Sequence, residues 1–545
     1  MKALIIHGHF YQPPRENPWT GVVDPEPSAL PFHDWNERVH AECYLPNSAA
    51  RIVVVNTAEA RIVNNYSRIS FDFGPTLLSW LERNHAETYS RIIAADAESV
   101  LEHDGHGNAI AQAYNHAILP LGNEPDRRTQ VRWGVADFRH RFGREPESIW
   151  LPETACNNEV LDLLIEESLK FVLLAPQQAK RIRSRTGIPG RTGIPACPGQ
   201  TAESNVPDGQ TLQSVLQTDD WQDVHNGAID TSIAYRYFHR DGTNRSIAVF
   251  FYDQELAHGI AFEQALASSS SLLDRFAQRA IGAGSMVNVA TDGESYGHHH
   301  KFGDLCLAHV VSGEAQARDF SLMNYGEYLA RFPPQMEVEI DNGPNSEGTS
   351  WSCIHGVSRW IRDCGCHTGG DPAWNQSWRG PLRAALDYLR DQAAGCFEQT
   401  RGDLFADPWA ARDDAISLVL DQFESRESFL RLHAPRHLSH EEQQRALLFL
   451  ELQRNTLLMY TSCGWFFSDI SGIEPIQILK YACRAIEIMS QLGLASPRAR
   501  FLEMLSEARS NRPGFGTGAD IYRQFVEPSN PFFTTGSEEL AGTRA

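Results

Sequence analysis

Residues 287–304, VNVATDGESYGHHHKFGD, form the stretch on which the interpretation of this chain depends. The stretch begins as a buried β-strand and continues into acids, glycines and three consecutive histidines. Polar residues that follow the carboxyl end of a parallel strand are typical of a functional site. Metal binding, proton transfer to a substrate and simple helix capping all suit these polar groups, and the rest of the chain has to decide between them.

Short β-rich runs alternate with longer amphipathic stretches from residue 1 to about residue 310, which is typical of βα units. Several of the runs, such as FVLLA at 171–175, are apolar on both faces, as parallel strands covered by helices are. We therefore predict an α/β fold, a distorted TIM-like (β/α)7 barrel, with an open doubly wound sheet as the alternative. The predicted strands are residues 3–6, 69–73, 109–114, 148–152, 171–175, 246–252 and 286–291.

The chain is predicted to divide into a barrel over residues 1–310 and a mainly helical region over residues 311–545. The barrel carries a Gly/Pro-rich insertion at about 182–230, which contains the tandem copies RTGIPG and RTGIPA at 185–196. Apolar residues recur at helical spacing in the second region, which is expected to complete the cleft. The clearest helical patterns there are residues 380–399, 441–460 and 475–492. The tail from about 526 is expected to be poorly ordered at its end.

The composition indicates an ordinary globular protein. The chain has 545 residues, is 42% hydrophobic and 21% charged, and carries a net charge of −21. That charge argues against nucleic acid as the main partner, because a phosphate backbone would be repelled. No apolar run is long enough to span a membrane, and the N-terminus lacks the pattern of a signal peptide. We expect a cytoplasmic protein with free thiols; the sequence does not determine its oligomeric state.

Two carboxylates follow predicted strands and are the strongest candidates for chemistry. Glu153 follows strand four in SIWLPETA, and Asp292 follows strand seven in NVATDGES. Strands four and seven of a seven-stranded barrel face each other across its lumen, so their loops can flank one bond. A pair of carboxylates in that arrangement suits glycoside hydrolysis. The structural alternatives are that Glu153 caps the next helix or pairs with an arginine, and that Asp292 caps the turn at Gly293.

Histidines near the strand ends leave a metal site open. His7 and His9 lie two residues apart on the first strand and share one face, so both can point to one ion with Asp292. The three adjacent histidines 298–300 cannot all face one point, and contacts to sugar hydroxyls suit them equally well. A metal-dependent carbohydrate hydrolase or deacetylase therefore remains an alternative.

A second dense patch, WSCIHGVSRWIRDCGCHTGG, occupies residues 351–370. Cys353, Cys364, Cys366 and His367 are candidate zinc ligands. A C-x-C pair is tighter than the usual C-x2-C pair, so buried free thiols are the favoured interpretation. Trp351 is a candidate sugar platform, because an aromatic face stacks on the apolar face of a pyranose.

Taken in order, the motifs HGHFYQPP, YNHAILPL, WLPETA and TDGESYGHHH resemble those of glycoside hydrolase family 57. The resemblance covers roughly residues 1–310, and MYTSCGWFFSDISG at 459–472 is similar to the last motif of the family. It implies a (β/α)7 barrel followed by helices, and retaining action on α-glucans without a metal or other cofactor. Two motifs depart from the family pattern: Tyr11 stands where a histidine is usual, and GHHH replaces the usual Gly-His-Trp-Trp. Both departures affect specificity more than the carboxylate pair.

The resemblance implies roles for single residues. Glu153 matches the nucleophile and Asp292 the general acid/base; His9 and His116 match substrate-contacting positions, and Trp465 matches an aromatic residue of the last motif. The complete set expected to contact substrate is His7, His9, Gln12, His116, Trp150, Asp253, His258, His298, His299, Trp351 and Trp465.

These observations predict a retaining α-glycoside hydrolase or transglycosylase, similar to an α-amylase or a 4-α-glucanotransferase. Its partner is expected to be an α-linked oligo- or polysaccharide. The carboxyl groups of Glu153 and Asp292 are expected to face each other at about 5–6 Å, the separation of retaining enzymes. No metal is expected among His7, His9 and Asp292. Besides the metal-dependent hydrolase, a glucan-binding homologue without turnover remains an alternative.

Overall fold

The computed structural model describes residues 2–53, 60–184, 220–280, 284–422 and 425–530. An α/β region comes first, and a mainly helical region follows it. The tandem copies at 185–196, and with them most of the predicted insertion, lie outside the described residues. So do the last residues of the predicted tail, 531–545.

Each of the seven predicted strand segments contains a strand, and further strands add to them. Within the described residues, the strands are β1 (Lys2–Phe10), β2 (Ala50–Val53), β3 (Ala60–Val63), β4 (Ser70–Phe73), β5 (Ala111–Gln112), β6 (Ile149–Trp150), β7 (Phe171–Leu174), β8 (Ala179–Ser184), β9 (Gln222–Asp223), β10 (Ala234–Phe238), β11 (Ser246–Phe251), β12 (Met286–Asp292), β13 (Phe320–Leu322) and β14 (Met336–Ile340). The apolar segments form strands because both their faces are covered: every residue of β7 is buried.

The strands form several sheets. In the first, β1 pairs in parallel with β12 on one side and with β4 and β13 on the other. In the second, six strands follow the order β7-β11-β10-β14-β8-β9. β5 pairs in parallel with β6, and β2 pairs with β3. The second sheet mixes parallel and antiparallel pairs, because β10, β14, β8 and β9 extend it beyond the parallel pair β7–β11.

Isolated contacts connect the neighbouring sheets. Parallel bridges join Phe71 to Ala109 and Ser148 to Phe171. The backbone N–H of Asp253, just after β11, donates to the carbonyl oxygen of Asn288 in β12 at 2.7 Å. The α/β fold is therefore confirmed, but the sheets do not close into one continuous barrel. β5 and β6 are only two residues long, so isolated bridges, not continuous strand pairs, connect them to the neighbouring sheets.

Helices follow most strands of the first region and make up most of the second. Within the described residues, the α-helices are α1 (Trp35–Val39), α2 (Leu45–Ser48), α3 (Pro75–Asn84), α4 (Ala86–Glu102), α5 (Glu124–Phe142), α6 (Asn158–Glu166), α7 (Gln254–Phe262), α8 (Ser269–Arg279), α9 (Gly303–His309), α10 (Tyr325–Arg331), α11 (Arg379–Glu398), α12 (Pro408–Asp414), α13 (Ile416–Val419), α14 (Arg426–His433), α15 (His440–Leu458), α16 (Cys463–Phe466), α17 (Ile473–Gln491), α18 (Arg498–Leu505) and α19 (Gly518–Ile521). No helix in this described part of the chain has the length and apolar character needed to cross a membrane.

The three predicted helical patterns correspond to α11, α15 and α17, which confirms them. Ser439 begins α15 with a capping box, since its side chain accepts from the N–H of Glu442 and the Glu442 side chain accepts from the N–H of Ser439. The helices bury their apolar faces in a second core, separate from the core of the α/β region. β13 and β14 lie beyond residue 310 and still pack with the first core, which includes Ile340.

Candidate active site

Two histidines and an aspartate form the floor of the candidate site. His7 and His9 alternate with Gly8 along β1 and therefore point to the same face. Asp72 of β4 lies opposite His9 in the register, and its two oxygens bond His7 Nε2 at 3.1 Å and His9 Nδ1 at 2.9 Å. Burial raises the pKa of Asp72 to about 7 and lowers the pKa of both histidines. Asp72 thus fixes the orientation of both rings.

His116 continues this chain of hydrogen bonds toward the helical region. Its Nε2 lies 3.1 Å from His9 Nε2, and its Nδ1 lies 2.6 Å from the hydroxyl of Ser462. One of the two facing Nε2 atoms must carry the proton, so the tautomers of His9 and His116 depend on each other. The ring of Tyr11, the residue in the place of the usual histidine, stacks on His116 with the centroids 3.7 Å apart.

Trp150 supports the histidines from within the core. Its indole stacks on His7 and His9 with centroids 5.0 and 4.7 Å away, and the side chain is only 1% exposed. It also contacts Trp351 edge-on at 5.2 Å. The wide apolar face predicted from the sequence thus packs on imidazoles inside the protein.

Glu153 lies just after β6, in a short 3-10 turn with an unusual backbone. Its φ is 59°, and Thr154 follows with a φ of 50°, so two successive non-glycine residues are left-handed. Such conformations cost free energy and cluster at functional sites. One carboxylate oxygen, Oε2, accepts from Trp351 Nε1 at 3.0 Å and from the Ser352 hydroxyl at 2.6 Å. Glu153 does not cap α6, because the side chain of Asn157 does so.

Asp292 ends β12 directly opposite His9 in the register. Its side chain is open to water, yet protein surrounds it closely enough that desolvation raises its pKa to about 7. His9 opposes that shift, while the charges of Glu153 and Glu294 add to it. The carboxyl group does not cap the short helix at Gly293–Ser295. It is therefore a carboxyl group that can hold a proton near neutral pH.

Glu294 is a third carboxylate in the site, and the sequence interpretation did not include it. It accepts from Gln12 Nε2 at 2.7 Å and from the hydroxyl of Tyr44 at 2.9 Å. Arg15 in turn donates to Gln12 Oε1 at 2.9 Å. Gln12 is thus held by partners on both sides, and its amide orientation follows from them.

The structure thus places Glu153 close enough to Asp292 for its charge to raise the Asp292 pKa, and it gathers several of the predicted binding residues around them. These residues are His7, His9, Gln12, His116, Trp150 and Trp351. The sequence interpretation missed Asp72, Ser352, Ser462 and Glu294. Asp72 carried a detectable signal, since a lone carboxylate within the apolar strand ISFDF needs a buried partner.

Two further predicted residues lie on or before α7. Asp253 caps the helix by accepting from the N–H of Leu256, and it pairs with Arg279 at 2.5 Å. His258 lies on the exposed side of the same helix, with its Nδ1 3.5 Å from a carboxylate oxygen of Glu263. Both side chains thus have local partners.

The histidine run and Trp465 also have partners of their own. His298 Nδ1 lies 2.5 Å from a carboxylate oxygen of Glu42, and His300 Nε2 donates to the carbonyl of Ala261. His299 stays exposed. Trp465 is buried in the helical core, where its Nε1 donates to the carbonyl of Arg379 at 3.3 Å.

The ring nitrogens of His7 and His9 are not arranged around a common point with Asp292. All four ring nitrogens already face Ser70, Asp72 or His116. Among the described residues, the groups whose ligand atoms gather within 4.8 Å of one another lie elsewhere in the molecule. The geometry therefore gives no support to a catalytic metal held by His7, His9 and Asp292.

Comparison with known families matches both regions. The model of glycosyl hydrolase family 57 matches residues 27–341, and a domain of unknown function (DUF3536) matches residues 374–535. Among curated proteins, α-amylase 1 of Dictyoglomus thermophilum is 23% identical over 106 residues, which are 19% of this chain and 15% of that protein. A 1,4-α-glucan branching enzyme of Thermococcus kodakarensis is 41% identical over 56 residues, 10% of this chain and 8% of that enzyme. The matches thus span a small part of the length of either relative.

Among solved structures, an exo-type maltose-forming amylase of Pyrococcus sp. ST04 resembles the chain with a TM-score of 0.64 and 14% identity. That likeness covers 92% of this chain and 82% of the amylase. At this identity, the likeness concerns the fold alone.

Proposed function

Because this chain belongs to glycosyl hydrolase family 57, we propose that it is a retaining α-glycoside hydrolase or transglycosylase acting on α-glucans. The observation that carries this proposal is the contrast between its two carboxyl groups. Glu153 accepts two hydrogen bonds, which suits an ionised nucleophile. Asp292 has a pKa raised to about 7, which suits a proton donor. The two carboxyl groups thus have the different surroundings that the two roles require.

In the proposed first step, Glu153 attacks the anomeric carbon while Asp292 gives its proton to the departing glycosidic oxygen. The bond from the anomeric carbon to that oxygen breaks, and a glycosyl ester of Glu153 forms. The charge of Glu153 disappears in that ester, so the pKa of Asp292 falls and its carboxylate can act as a base. In the second step it takes a proton from water or from an acceptor sugar, which attacks the ester and releases Glu153.

We propose that the hydrogen-bonded polar side chains around the carboxyl pair bind the sugar hydroxyls. Gln12 is already oriented by Arg15 and Glu294, and the second hydrogen of its amide nitrogen can reach a substrate without reorganisation. His9 and His116 have protein partners at both ring nitrogens, so a sugar hydroxyl would replace one of those partners. Trp351 both donates to Glu153 and is half-buried, so it can offer the rest of its ring to a pyranose.

We further propose that the seven predicted strands act as a distorted (β/α)7 barrel over residues 1–310 and that the region 311–545 completes its cleft. The bridges between neighbouring sheets support the first part. Contacts from Ser462 to His116 and from Ser352 to Glu153 support the second part, since they join the region beyond residue 310 to the strand ends.

The substrate class can be tested with maltooligosaccharides and glycogen, using α-galactosides as the control. We expect cleavage or transfer on the α-glucans, and proton NMR of the first products should show the α-anomer of the substrate retained. Retention follows from two successive inversions at the anomeric carbon. Products with the β-anomer would contradict the double-displacement mechanism, and activity confined to α-galactosides would contradict the substrate class.

The raised pKa of Asp292 makes a prediction about pH. The acid form is needed in the free enzyme, so kcat/KM should fall by roughly tenfold per pH unit above about pH 7. Asp292 ionises in the folded protein well above its ordinary pKa of 3.8, so its contribution to stability declines as pH rises from that value through about 7. We therefore expect Asp292→Asn to melt at a higher temperature than the native chain at pH 8. At pH 4 the two should differ little.

Calorimetry at both pH values checks the stability part of this prediction. The pKa of Asp72 is also raised to about 7, but Asp72 is present in both proteins, so only its interaction with Asp292 differs between them. An equal or lower melting temperature of Asp292→Asn at pH 8 would show that the native carboxyl ionises without cost.

A further inference from the structure

Three cysteines and a histidine converge on one point beyond the candidate active site. Cys353 Sγ lies 3.8 Å from Cys364 Sγ and 3.9 Å from Cys366 Sγ. Cys366 Sγ lies 3.4 Å from His355 Nδ1, and all four ligand atoms lie within 4.8 Å of one another. We propose that Cys353, His355, Cys364 and Cys366 form a closed structural site for one zinc ion.

The distances suit a tetrahedral zinc ion. Zinc binds a cysteine sulfur at about 2.3 Å and a histidine nitrogen at about 2.0–2.1 Å. In a tetrahedron, these bond lengths place two sulfurs about 3.8 Å apart and a sulfur and a nitrogen about 3.6 Å apart. The observed separations agree with both values within a few tenths of an ångström. Four protein ligands of this kind leave no open position, which is typical of a structural site.

The ligands come from two short segments with the same spacing. Cys353 and His355 enclose the exposed Ile354, and Cys364 and Cys366 enclose Gly365. Gly365 has a φ of 77°, a left-handed conformation that glycine adopts readily, and it lets the chain turn between the two cysteines. The sequence interpretation favoured free thiols and considered His367 as the fourth ligand. In the fold, the ring nitrogen of His355 lies within the cluster and takes that place, although both histidines are exposed.

The sulfurs of the cluster also accept hydrogen bonds from the backbone. Backbone N–H groups of His355 and Arg359 donate to the sulfur of Cys353, and that of Cys366 donates to Cys364. Of the described cysteines, none is in a disulfide.

Two buried guanidinium groups lie beside the cluster. Arg359 and Arg379 are 5% and 0% exposed, and they bond Thr368, the carbonyls of Phe466 and Phe467, and the carbonyl of Cys366. Within the described part of the chain, neither forms an ion pair with a carboxylate. A zinc ion with three thiolates and a neutral histidine carries a net charge of −1, which would compensate part of this buried positive charge.

The proposed zinc site also has a consequence that rests on the proposed function. Trp351 and Ser352, the donors to Glu153, directly precede Cys353. An ion that ties Cys353 to the segment at 364–366 would hold both donors in place. The site would thus position the nucleophile although it lies outside the reacting groups.

Zinc analysis of the untagged chain, produced in cells grown with added zinc, tests the site itself. We expect about one zinc per chain, and cobalt substitution should give the charge-transfer absorption of cobalt–thiolate bonds. His355→Asn should weaken zinc binding by roughly tenfold or more in competition with a chelating dye, while His367→Asn serves as the matched control and should bind normally. Cys364→Ser should lose zinc, and Cys396→Ser, a cysteine outside the cluster, should keep it.

A wild-type chain without zinc or cobalt–thiolate absorption would overturn the proposal, even if the variants failed to fold. Equal binding by His355→Asn and His367→Asn would overturn the assigned ligand set.

Enzyme activity is measured separately from zinc content and tests the positioning role. If His355→Asn loses zinc but keeps the wild-type kcat/KM on α-glucans, the positioning role is wrong and the metal site stands. If the wild-type chain holds zinc but lacks any glucan activity, the proposed function fails instead.

Discussion

Replacement of Glu153 by alanine is expected to lower kcat on α-glucans by roughly 10⁴-fold or more. The reason is that alanine cannot form the covalent intermediate, and loss of a nucleophile is among the largest single-residue effects in enzymes. Steady-state turnover of maltooligosaccharides measures the loss. In the structure this carboxylate accepts two hydrogen bonds and its residue has a left-handed backbone conformation. The substitution therefore removes a carboxylate that the protein already holds in position.

A small anion should partly replace the missing carboxylate. With azide and an activated α-glucosyl substrate, Glu153→Ala is expected to produce a β-glucosyl azide, because a single displacement inverts the anomeric carbon. Glu159→Ala is the matched control, since this exposed residue lies on the following helix and pairs with Arg127. It should keep the native rate. Near-native turnover by Glu153→Ala would remove Glu153 from the mechanism.

Replacement of Asp292 by alanine is expected to depend strongly on the leaving group. Maltooligosaccharides have poor leaving groups that need a proton, so their cleavage should slow by about 10²–10⁴-fold. Aryl glucosides with acidic phenols hardly need that proton, and their first step should slow far less. Pre-steady-state release of the phenol separates this step from breakdown of the intermediate.

Glu294→Gln distinguishes Asp292 from the neighbouring carboxylate. Glutamine keeps an oxygen that can accept from Gln12 and from Tyr44, but it cannot donate an acidic proton. We expect this variant to affect substrates with good and poor leaving groups to a similar degree. A leaving-group dependence in Glu294→Gln that is absent in Asp292→Ala would assign the acid role to Glu294.

The sequence predicted those parts of the fold that local patterns determine. All seven predicted strand segments contain strands because they are apolar and bounded by turn residues, and the helical periodicity located α11, α15 and α17. The extension of the second sheet by β10, β14, β8 and β9 was not predicted. β8 is half-exposed and β9 is only two residues long, and the pairing in this sheet joins segments far apart in the chain, such as Glu337 with Arg183. Periodicity carries no information about such partners.

In the candidate site, too, the sequence predicted the residues that local patterns indicate and missed their distant partners. Their positions at the ends of predicted strands indicated Glu153, Asp292 and His9, because side chains at the carboxyl ends of parallel strands lie close together. The partners that orient them were missed because they lie far away in sequence: Ser352 is 199 residues from Glu153, and Ser462 is 346 residues from His116. The zinc ligands were obscured for a different reason. His355 and His367 both lie within two residues of a cysteine, and only the folded loop distinguishes them.

Mass spectrometry of a trapped intermediate tests the central claim most directly. Asp292→Ala should form the glycosyl ester from α-glucosyl fluoride, whose leaving group needs little acid assistance, and break it down slowly because the base is missing. After rapid acid quenching and proteolysis, we expect one added hexose on the peptide that contains Glu153 and no label on that peptide in a Glu153→Ala/Asp292→Ala double variant. A hexose on any other carboxylate, or rapid turnover of the fluoride without a labelled peptide, would contradict the assignment of Glu153 as the nucleophile.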